Sequence, residues 1–354
     1  MRWDLYCRVV DNFGDAGVAW RLATDLARRG ERVRLAIDDV RPLAWMAAGG
    51  APGVEVVAWS EPPTAAPDAI VELFGGGLPE PVREAAASVL RPPVVVNLEH
   101  LSAEPYVERS HGLPSPVALP SGRTLTTWYW YPGFTPRTGG LLRESDLLAR
   151  REAFDRAVWV EAQGIALRPG ERLVSLFCYA NDAIGELLQA LARKPTLLLL
   201  TPGPAADQVS ARLGSPLCDG RLRAFRLPSL SQLDFDHLLW SCAMNFVRGE
   251  DSLVRALWAG APFVWQLYPQ DDRAQDAKLE AFLDLFLARG DRETGAALRR
   301  LFRRWNGRGE AGAIELPEGA AAAAWRDRCA AWRDTLASGP DLSIGLIEFV
   351  ASKR

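Results

Sequence analysis

The sequence predicts an α/β fold made of two similar halves, each built on a parallel sheet. Three observations support this prediction. The chain has 354 residues, which is too long for one ordinary core and indicates two domains of comparable length. Hydrophobic residues make up 48% of it, enough to fill both cores. Short apolar runs also alternate with helical patterns, as in parallel sheets covered by helices on both faces.

The first half opens with a βαβ pattern. Residues 5–10, "LYCRVV", are strand-like, residues 17–30 place apolar side chains at helical spacing and end on Gly30, and residues 32–38 are strand-like again. Pro and Gly punctuation separates the later elements, which are strands at 54–59, 69–75 and 93–99 and a helix at 80–91. Residues 101–140 interrupt the alternation with Pro-rich and aromatic stretches, and a helical segment is predicted from about 141 to 164.

The alternation resumes in the second half. Helices separate the predicted strands, which are 172–180, 195–203, 221–229, 244–249 and 262–268. Two of those helices are predicted at 182–193 and 232–242, and the chain is mainly helical from Asp276 onward. We therefore expect an N-terminal domain over 1–160 and a C-terminal domain over 161–354, with the last helix a candidate for packing back on the N-terminal domain.

Composition and charge exclude several classes of function. A formal net charge of −3 argues against a nucleic-acid-binding surface. The five cysteines are odd in number, scattered and without a C-x-x-C pair, which predicts reduced thiols. The three histidines show no metal-binding spacing, so no metal site is expected. The start of the chain is too charged for a signal peptide, and the apolar stretches are too short to span a bilayer. We expect a cytoplasmic protein that does not bind membranes.

The common nucleotide-binding loops do not occur in the sequence. Neither a G-x-G-x-x-G after the first strand nor a P-loop pattern is present, which argues against a dehydrogenase or a P-loop ATPase. The "GGG" at 75–77 follows a predicted strand and could approach a ligand. A tight turn is the favoured interpretation, because glycine is the residue that such turns demand.

The stretch "RGEDSLVRALWAG" at 248–260 is more informative. A strand ends there and a helix begins, so free backbone N–H groups at the helix start could bind a pyrophosphate. Arg248 could add positive charge and Ser252 a hydroxyl, as a nucleotide diphosphate requires. In the alternative interpretation, Asp251 and Ser252 only cap the helix and Arg248 pairs with Glu250. The spacing alone leaves both interpretations open.

The stretch "DNFGDAG" at 11–17 places two carboxylates where the first strand turns into the first helix. Turn propensity and N-capping by Asp15 explain part of this pattern. They do not explain Asp11 at the end of the strand, with Phe13 between the two acids. Two convergent carboxylates could hold a cationic group or take a proton from a nucleophile.

Four blocks of sequence carry a resemblance to a known family. They are "CRVVDNFGDAGVAWRLA", "NLEHLSAEPYVERSHGLPSP", "FCYAN" and "LLWSCAMNFVRGEDSLVRALWAGAPFVWQLYPQ". In this order and spacing they resemble the bacterial protein-arginine rhamnosyltransferases that modify translation elongation factor P. The resemblance runs from the first strand to the C-terminal helices, and "DNFGD" and "RGEDS" are its most specific blocks.

The resemblance implies a GT-B glycosyltransferase, with two Rossmann-like domains facing across a cleft and the donor held mainly by the C-terminal one. It also implies dTDP-β-L-rhamnose as the donor, an arginine of elongation factor P as the acceptor, and inversion at the anomeric carbon. By the family pattern, the catalytic acids are Asp11, Asp15 and Glu250. The implied donor contacts, some shared with those acids, are Asn12, Phe13, Gly14, Tyr179, Gln232, Arg248, Glu250, Asp251 and Ser252. Ala16, Ala19 and Ala180 depart from the family pattern and would alter only the shape of the pocket.

The chemistry of arginine explains why such a site needs carboxylates. A guanidinium stays protonated at cellular pH, with a pKa above about 12, so a base must remove a proton as the new bond forms. We expect Asp15 to be this base and Asp11 to orient the guanidinium, while Glu250 binds sugar hydroxyls or positions Arg248. Arg248 and the helix start would stabilise the leaving diphosphate without a metal.

Two other classes of function are compatible with parts of this pattern. A GT-B enzyme that epimerises or hydrolyses the nucleotide sugar itself would keep "RGEDS" and would need no protein acceptor. A non-catalytic ligand sensor would not depend on the carboxylates of "DNFGD".

Overall fold

The chain forms two compact units, which we describe from a computed structural model. The structure describes residues 1–10, 13–63, 65–269, 274–308 and 313–354. Unit 1 comprises Met1–Leu147 and Leu336–Arg354, and unit 2 comprises Leu148–Thr335. Over the described residues, no helix is both long and apolar enough to cross a membrane.

Unit 1 is built on a seven-stranded sheet. Its strands are β1 (Arg2–Cys7), β2 (Arg32–Ile37), β3 (Val54–Ala58), β4 (Ala69–Leu73), β5 (Val94–Leu98), β6 (Pro114–Ala118) and β7 (Thr124–Trp130). Their order is β3-β2-β1-β4-β5-β7-β6, and all neighbours are parallel except β6 and β7. The helices are α1 (Gly14–Arg28), α2 (Leu43–Met46), α3 (Glu80–Ser88), α4 (Pro105–Ser110) and, at the chain end, α14 (Leu342–Lys353).

Alternate side chains of the unit 1 strands enter different cores. Trp3, Leu5 and Cys7 of β1 belong to one buried cluster, whereas Tyr6 belongs to another. This period of two buries both faces of a parallel strand, as its mainly apolar sequence indicates. Asp4, the buried charged residue of β1, pairs with Arg34 of β2.

Unit 2 is built on a six-stranded sheet. Its strands are β8 (Arg172–Leu176), β9 (Thr196–Leu200), β10 (Cys218–Asp219), β11 (Leu222–Arg226), β12 (Met244–Arg248) and β13 (Phe263–Gln266). Their order is β10-β11-β9-β8-β12-β13, and only β10 runs antiparallel to its neighbour. The helices from the junction onward are α5 (Leu147–Glu152), α6 (Arg156–Ala162), α7 (Ile184–Leu191), α8 (Pro204–Leu213), α9 (Gln232–Ser241), α10 (Gly249–Ala259), α11 (Ala274–Phe286), α12 (Arg292–Trp305) and α13 (Gly319–Ala337).

The predicted domain boundary between residues 160 and 161 requires a correction. It falls inside α6, where Trp159 and Val160 pack in one buried cluster with Leu173 of β8. The contacts therefore place the division earlier, between Leu147 and Leu148. The last helix, α14, lies in unit 1, where Leu346 and other apolar side chains join the same cluster as Trp3.

Two predicted segments also differ in local structure. The helical segment expected over 141–164 consists of two short helices, α5 and α6. The aromatic run before it, expected to be irregular, contains β7, which pairs with β5 in the interior of the sheet. Trp130 at the end of β7 is buried and lies against Phe349 of α14, with 5.1 Å between ring centroids. The strand is therefore fixed by packing between residues far apart in sequence.

Candidate active site

The loop between β1 and α1 lies where α/β sheets bind ligands. The strand order places β2 on one side of β1 and β4 on the other. The connection that leaves β1 therefore runs toward β2, whereas the connection that leaves β4 runs in the opposite direction, toward β5. Such a switch point leaves a crevice at the carboxyl ends of the strands. Of the predicted site residues in this loop, Asp11 and Asn12 lie outside the described residues.

Asp15 links the residues that follow β1 to the first turn of α1. It lies in the first turn of α1 with 7% of its surface exposed, and its Oδ2 accepts a hydrogen bond from the Val10 N–H at 2.8 Å. Phe13 occupies the N-cap position and makes no side-chain capping bond. The helix therefore begins at Gly14, earlier than the predicted residue 17, and N-capping does not explain Asp15. A carboxylate in this first turn is stabilised by the helix dipole.

Phe13 forms one wall of a cavity beside this loop. Its side chain is 37% exposed and meets Trp45 edge to face, with ring centroids 5.2 Å apart. The cavity has a volume of about 380 Å³ and is lined by Val9, Val10, Phe13, Asp39, Arg41, Pro42 and Trp45. Gly14, the next predicted contact, is half-buried at the start of α1.

The "GGG" loop after β4 approaches the end of β1. Gly75 and Gly77 have φ values of 63° and 80°, which only glycine adopts without strain. A Cβ at Gly76 would lie 3.2 Å from the Cβ of Arg8. The tight-turn interpretation accounts for these glycines, and the loop borders the same switch point.

The strand-to-helix junction of unit 2 carries the "RGEDS" residues. Arg248 ends β12, and Gly249 begins α10 with a φ of 65°. Arg248 occupies the N-cap position of α10 and its side chain makes no capping bond, while Asp251 and Ser252 lie inside the first turn. Neither Asp251 nor Ser252 is therefore the N-cap residue that the alternative interpretation required. The first N–H groups of α10 remain suited to an anion.

Arg248 lies over two aromatic rings. Its Cζ is 4.7 Å from the ring centroid of Phe177 and 4.3 Å from that of Tyr179, and only 9% of the residue is exposed. Glu250 forms an ion pair with Lys278. In the described part of the chain, Arg248 makes no ion pair, so the pairing with Glu250 in the alternative interpretation is wrong. Stacking on the two rings holds the guanidinium in place, and its N–H groups can still donate hydrogen bonds.

The remaining predicted donor contacts surround this junction. Tyr179 also meets Tyr268 edge to face, with ring centroids 5.4 Å apart. Ser252 is buried, Asp251 is half-buried, and Gln232 is the half-buried first residue of α9. The structure thus brings Tyr179 into direct contact with Arg248 and places Ser252 on the helix that follows.

A buried ion pair fixes α9 against α10. Asp236 accepts hydrogen bonds from Arg255 Nε at 2.8 Å and Nη2 at 2.7 Å, and each residue is 1% exposed. Asp234, two residues earlier, accepts hydrogen bonds from Ser231 Oγ and Trp159 Nε1. These bonds give the Asp-x-Asp pattern of 234–236 a structural role in positioning the helix that begins at Gln232.

Two contacts of this site were not predicted from the sequence. Phe177 precedes Tyr179 by two residues, and the spacing alone would have allowed both rings to lie on one side of the chain. Lys278 lies 28 residues from Glu250, and no local pattern signals their ion pair. The thiol of Cys178, the residue between Phe177 and Tyr179 in sequence, is buried, which raises its pKa and keeps it protonated.

Comparison with known proteins identifies the family. The sequence model described as "Elongation-Factor P (EF-P) rhamnosyltransferase EarP" matches residues 3–351. A protein-arginine rhamnosyltransferase of Pseudomonas aeruginosa is 41% identical over 380 residues, covering 99% of this chain and 98% of that protein. A protein of the same name from Pseudomonas putida is 44% identical over 329 residues, covering 86% of each chain.

A solved structure agrees with these relatives. It is described as the "Structural basis for EarP-mediated arginine glycosylation of translation elongation factor EF-P", and it superposes with a TM-score of 0.66 at 32% identity. The superposition covers 100% of this chain and 99% of the other. Similar solved structures are GT-B glycosyltransferases, which with the two parallel sheets confirms the predicted fold class. The chain therefore belongs to the EarP family of protein-arginine rhamnosyltransferases, and it is a glycosyltransferase of the GT-B fold.

Proposed function

We propose that this enzyme transfers L-rhamnose from dTDP-β-L-rhamnose to an arginine side chain of translation elongation factor P, with inversion at the anomeric carbon. The part of the proposal that concerns the donor rests on the Arg248 guanidinium, which is stacked on two rings at the start of α10. The part that concerns the acceptor is supported by the solved structure whose description names arginine glycosylation of EF-P. The reaction takes place in the cytoplasm, where translation factors act.

The donor diphosphate binds at the junction of β12 and α10. Arg248 donates charge-assisted hydrogen bonds to the phosphate oxygens, and the N–H groups of the first turn of α10 add a partial positive charge. Ser252, in the same turn, donates its hydroxyl. These groups stabilise the negative charge that grows on the diphosphate as it leaves.

The acceptor arginine is deprotonated by Asp15. A guanidinium nitrogen attacks the anomeric carbon, a C–N bond forms, and the C–O bond to the diphosphate breaks, so dTDP leaves with the bonding electrons. The proton of the attacking nitrogen passes to the Asp15 carboxylate and then to water. Asp11 orients the guanidinium through its other N–H groups. A single displacement of this kind inverts the anomeric carbon.

Glu250 contributes to donor binding through the sugar. Its ion pair with Lys278 offsets the repulsion that a carboxylate would exert on the nearby diphosphate. Since Arg248 makes no ion pair among the described residues, Glu250 is better suited to accept hydrogen bonds from rhamnosyl hydroxyls than to position Arg248.

Intact-mass analysis of elongation factor P tests the proposal. Incubation with this enzyme and dTDP-β-L-rhamnose should add the mass of one deoxyhexosyl group, and an acceptor whose target arginine is replaced by lysine should remain unmodified. Consumption of the nucleotide sugar at the same rate without acceptor protein would instead identify an epimerase or hydrolase.

Transfer should proceed without a divalent metal ion. Arg248 and the start of α10 supply the positive charge on the leaving group. The Asp-x-Asp pattern at 234–236 has structural partners in Arg255, Ser231 and Trp159. Rates measured with excess EDTA and with added Mg²⁺ or Mn²⁺ should therefore agree. A strict requirement for either ion would contradict this account of leaving-group stabilisation.

A folded acceptor domain should be a better substrate than a linear peptide with the same arginine. Asp15 is 7% exposed, so a guanidinium reaches it best from a narrow, preformed loop. A flexible peptide also loses about 1 to 2 kcal/mol for each backbone residue that binding fixes. Unit 1 should supply most of the contact surface, including segment 101–134, where Tyr106 is 40% exposed. Comparison of kcat/KM for the isolated domain and the peptide tests this, and equal values would mean that the enzyme recognises local sequence.

A further inference from the structure

Gln266 is a buried polar residue next to the proposed donor site. It ends β13, where it is paired in parallel register with Arg248 at the end of β12. Only 5% of the residue is exposed. Its Nε2 donates a long hydrogen bond of 3.3 Å to the backbone oxygen of Ala180, and its Oε1 has no hydrogen-bond partner in the described part of the chain.

One polar group of the Gln266 amide lacks a partner in either orientation of the amide. If the oxygen and nitrogen were exchanged, two oxygens would lie 3.3 Å apart and the buried NH₂ group would lack a partner instead. A buried acceptor without a hydrogen bond is costly, and such groups in native proteins commonly indicate a missing partner. With Nε2 directed toward Ala180, the group that still needs a hydrogen bond is the acceptor Oε1.

The surroundings of Gln266 identify the partner's location. Neighbouring strands lie about 4.8 Å apart, so the register places Gln266 directly beside Arg248. Ala180, which anchors the amide, follows Tyr179, whose ring lies under the Arg248 guanidinium. Gln266 therefore belongs to the group of residues around the proposed diphosphate site.

We infer that Gln266 is a further donor-binding residue, whose Oε1 accepts a hydrogen bond from a hydroxyl or N–H group of the nucleotide sugar. This inference rests on the proposed function. The diphosphate itself cannot be the partner, because an ionised phosphate only accepts hydrogen bonds and Oε1 needs a donor. The donor groups of dTDP-rhamnose are the rhamnosyl hydroxyls, the deoxyribose hydroxyl and the thymine N–H. Arg248 and Gln266 thus divide recognition, one binding the phosphate and the other a neighbouring hydroxyl or N–H.

Substitution Gln266→Met tests this role. Methionine keeps the length of the side chain and removes both polar atoms, while Ala180, an exposed residue, can bond to water in place of the amide. Calorimetry should measure binding of dTDP-β-L-rhamnose and of dTDP to the full-length enzyme. Loss of one neutral hydrogen bond should weaken binding of the nucleotide sugar about three- to tenfold. The matched control is Gln189→Met on the exposed face of α7, which should bind both ligands like the unmodified chain.

The two ligands distinguish the source of the hydrogen bond. A loss confined to dTDP-rhamnose assigns Oε1 to a rhamnosyl hydroxyl, whereas an equal loss for dTDP assigns it to the nucleoside. The melting temperature without ligand should not fall, because the substitution removes an unpartnered buried acceptor. Unchanged binding of both ligands would overturn this inference and leave the proposed function intact. A fall in melting temperature large enough to account for the lost affinity would do the same. Failure of the unmodified chain to bind dTDP-rhamnose would overturn the donor assignment and this inference with it.

Discussion

Replacement of Asp15 by asparagine is expected to lower rhamnosyl transfer by about a hundredfold or more, the usual effect of losing a general base. The variant keeps the shape of the side chain and loses its ability to take a proton. Because the acceptor guanidinium is protonated at cellular pH, no other step supplies the missing deprotonation. The loss should appear in kcat measured with saturating acceptor and donor.

The fold should tolerate this substitution. The amide oxygen of an asparagine can accept the hydrogen bond that Asp15 Oδ2 now accepts from Val10 N–H. The variant does lose the attraction between a carboxylate and the start of α1, which is worth about 0.3 to 1 kcal/mol. The melting temperature should therefore fall by only a few degrees. Donor affinity should hold, because the proposed diphosphate contacts are Arg248 and the first turn of α10.

Asp38, which follows β2 and bonds to the residue before Val10, provides a matched control. Asp38 Oδ1 accepts a hydrogen bond from Val9 N–H at 2.9 Å, the same kind of bond at the preceding residue, and its side chain is exposed. Asp38→Asn should leave transfer near the rate of the unmodified enzyme. Near-normal transfer by Asp15→Asn would show that Asp15 only holds the loop. Asp11→Asn should also reduce transfer, through lost orientation of the guanidinium.

Local periodicity predicts much of this fold because most of its strands are short and buried on both faces. β1, β4 and β5 are mainly apolar, and α10 is delimited by Gly249 and Gly260, both with positive φ. β7 was missed because prolines flank an aromatic run whose burial depends on α14, far away in sequence. The division between the units was misplaced for a similar reason, since α6 packs against strands that follow it.

The candidate site shows the same limit. The sequence indicates Asp15 and Arg248 because turns and helix starts have local signatures. The stacking of Arg248 on Tyr179 depends on the strand order β9-β8-β12, which brings together residues about seventy positions apart without a local pattern. The pairing of Glu250 with Lys278 and the burial of Gln266 likewise depend on the packed sheet.

Loss of the Arg248 guanidinium should weaken binding of dTDP-β-L-rhamnose about ten- to a hundredfold. Hydrogen bonds to charged groups contribute about 1.5 to 3 kcal/mol, and the diphosphate has two negatively charged groups for this side chain to bind. Ser252→Ala removes one neutral hydroxyl and should cost about three- to tenfold. The loss should be larger for Arg248 than for Ser252 because the hydrogen bonds of Arg248 come from a charged group.

The choice of substitution separates charge from packing. Arg248 is 9% exposed and lies over Phe177 and Tyr179, so alanine would leave a void beside the rings and could lower stability as well as affinity. Arg248→Met keeps an apolar stem over both rings and removes only the charged group. If Arg248 acts through its charge, calorimetry should give similar losses of donor affinity for the two variants, and the methionine variant should keep more of its melting temperature.

A control in the same unit completes this test. Arg226 at the end of β11 is 46% exposed at its side chain and pairs with Asp207 on the surface. Arg226→Ala changes the net charge of the unit equally, so it should leave donor binding unchanged if contact with the diphosphate is what matters. Because the direct contact is short-ranged and only partly screened, the Arg248 effect should also persist at 0.5 M salt, several times the physiological ionic strength. Affinity for the donor that is unchanged in both Arg248→Met and Ser252→Ala would mean that the nucleotide binds elsewhere on the protein.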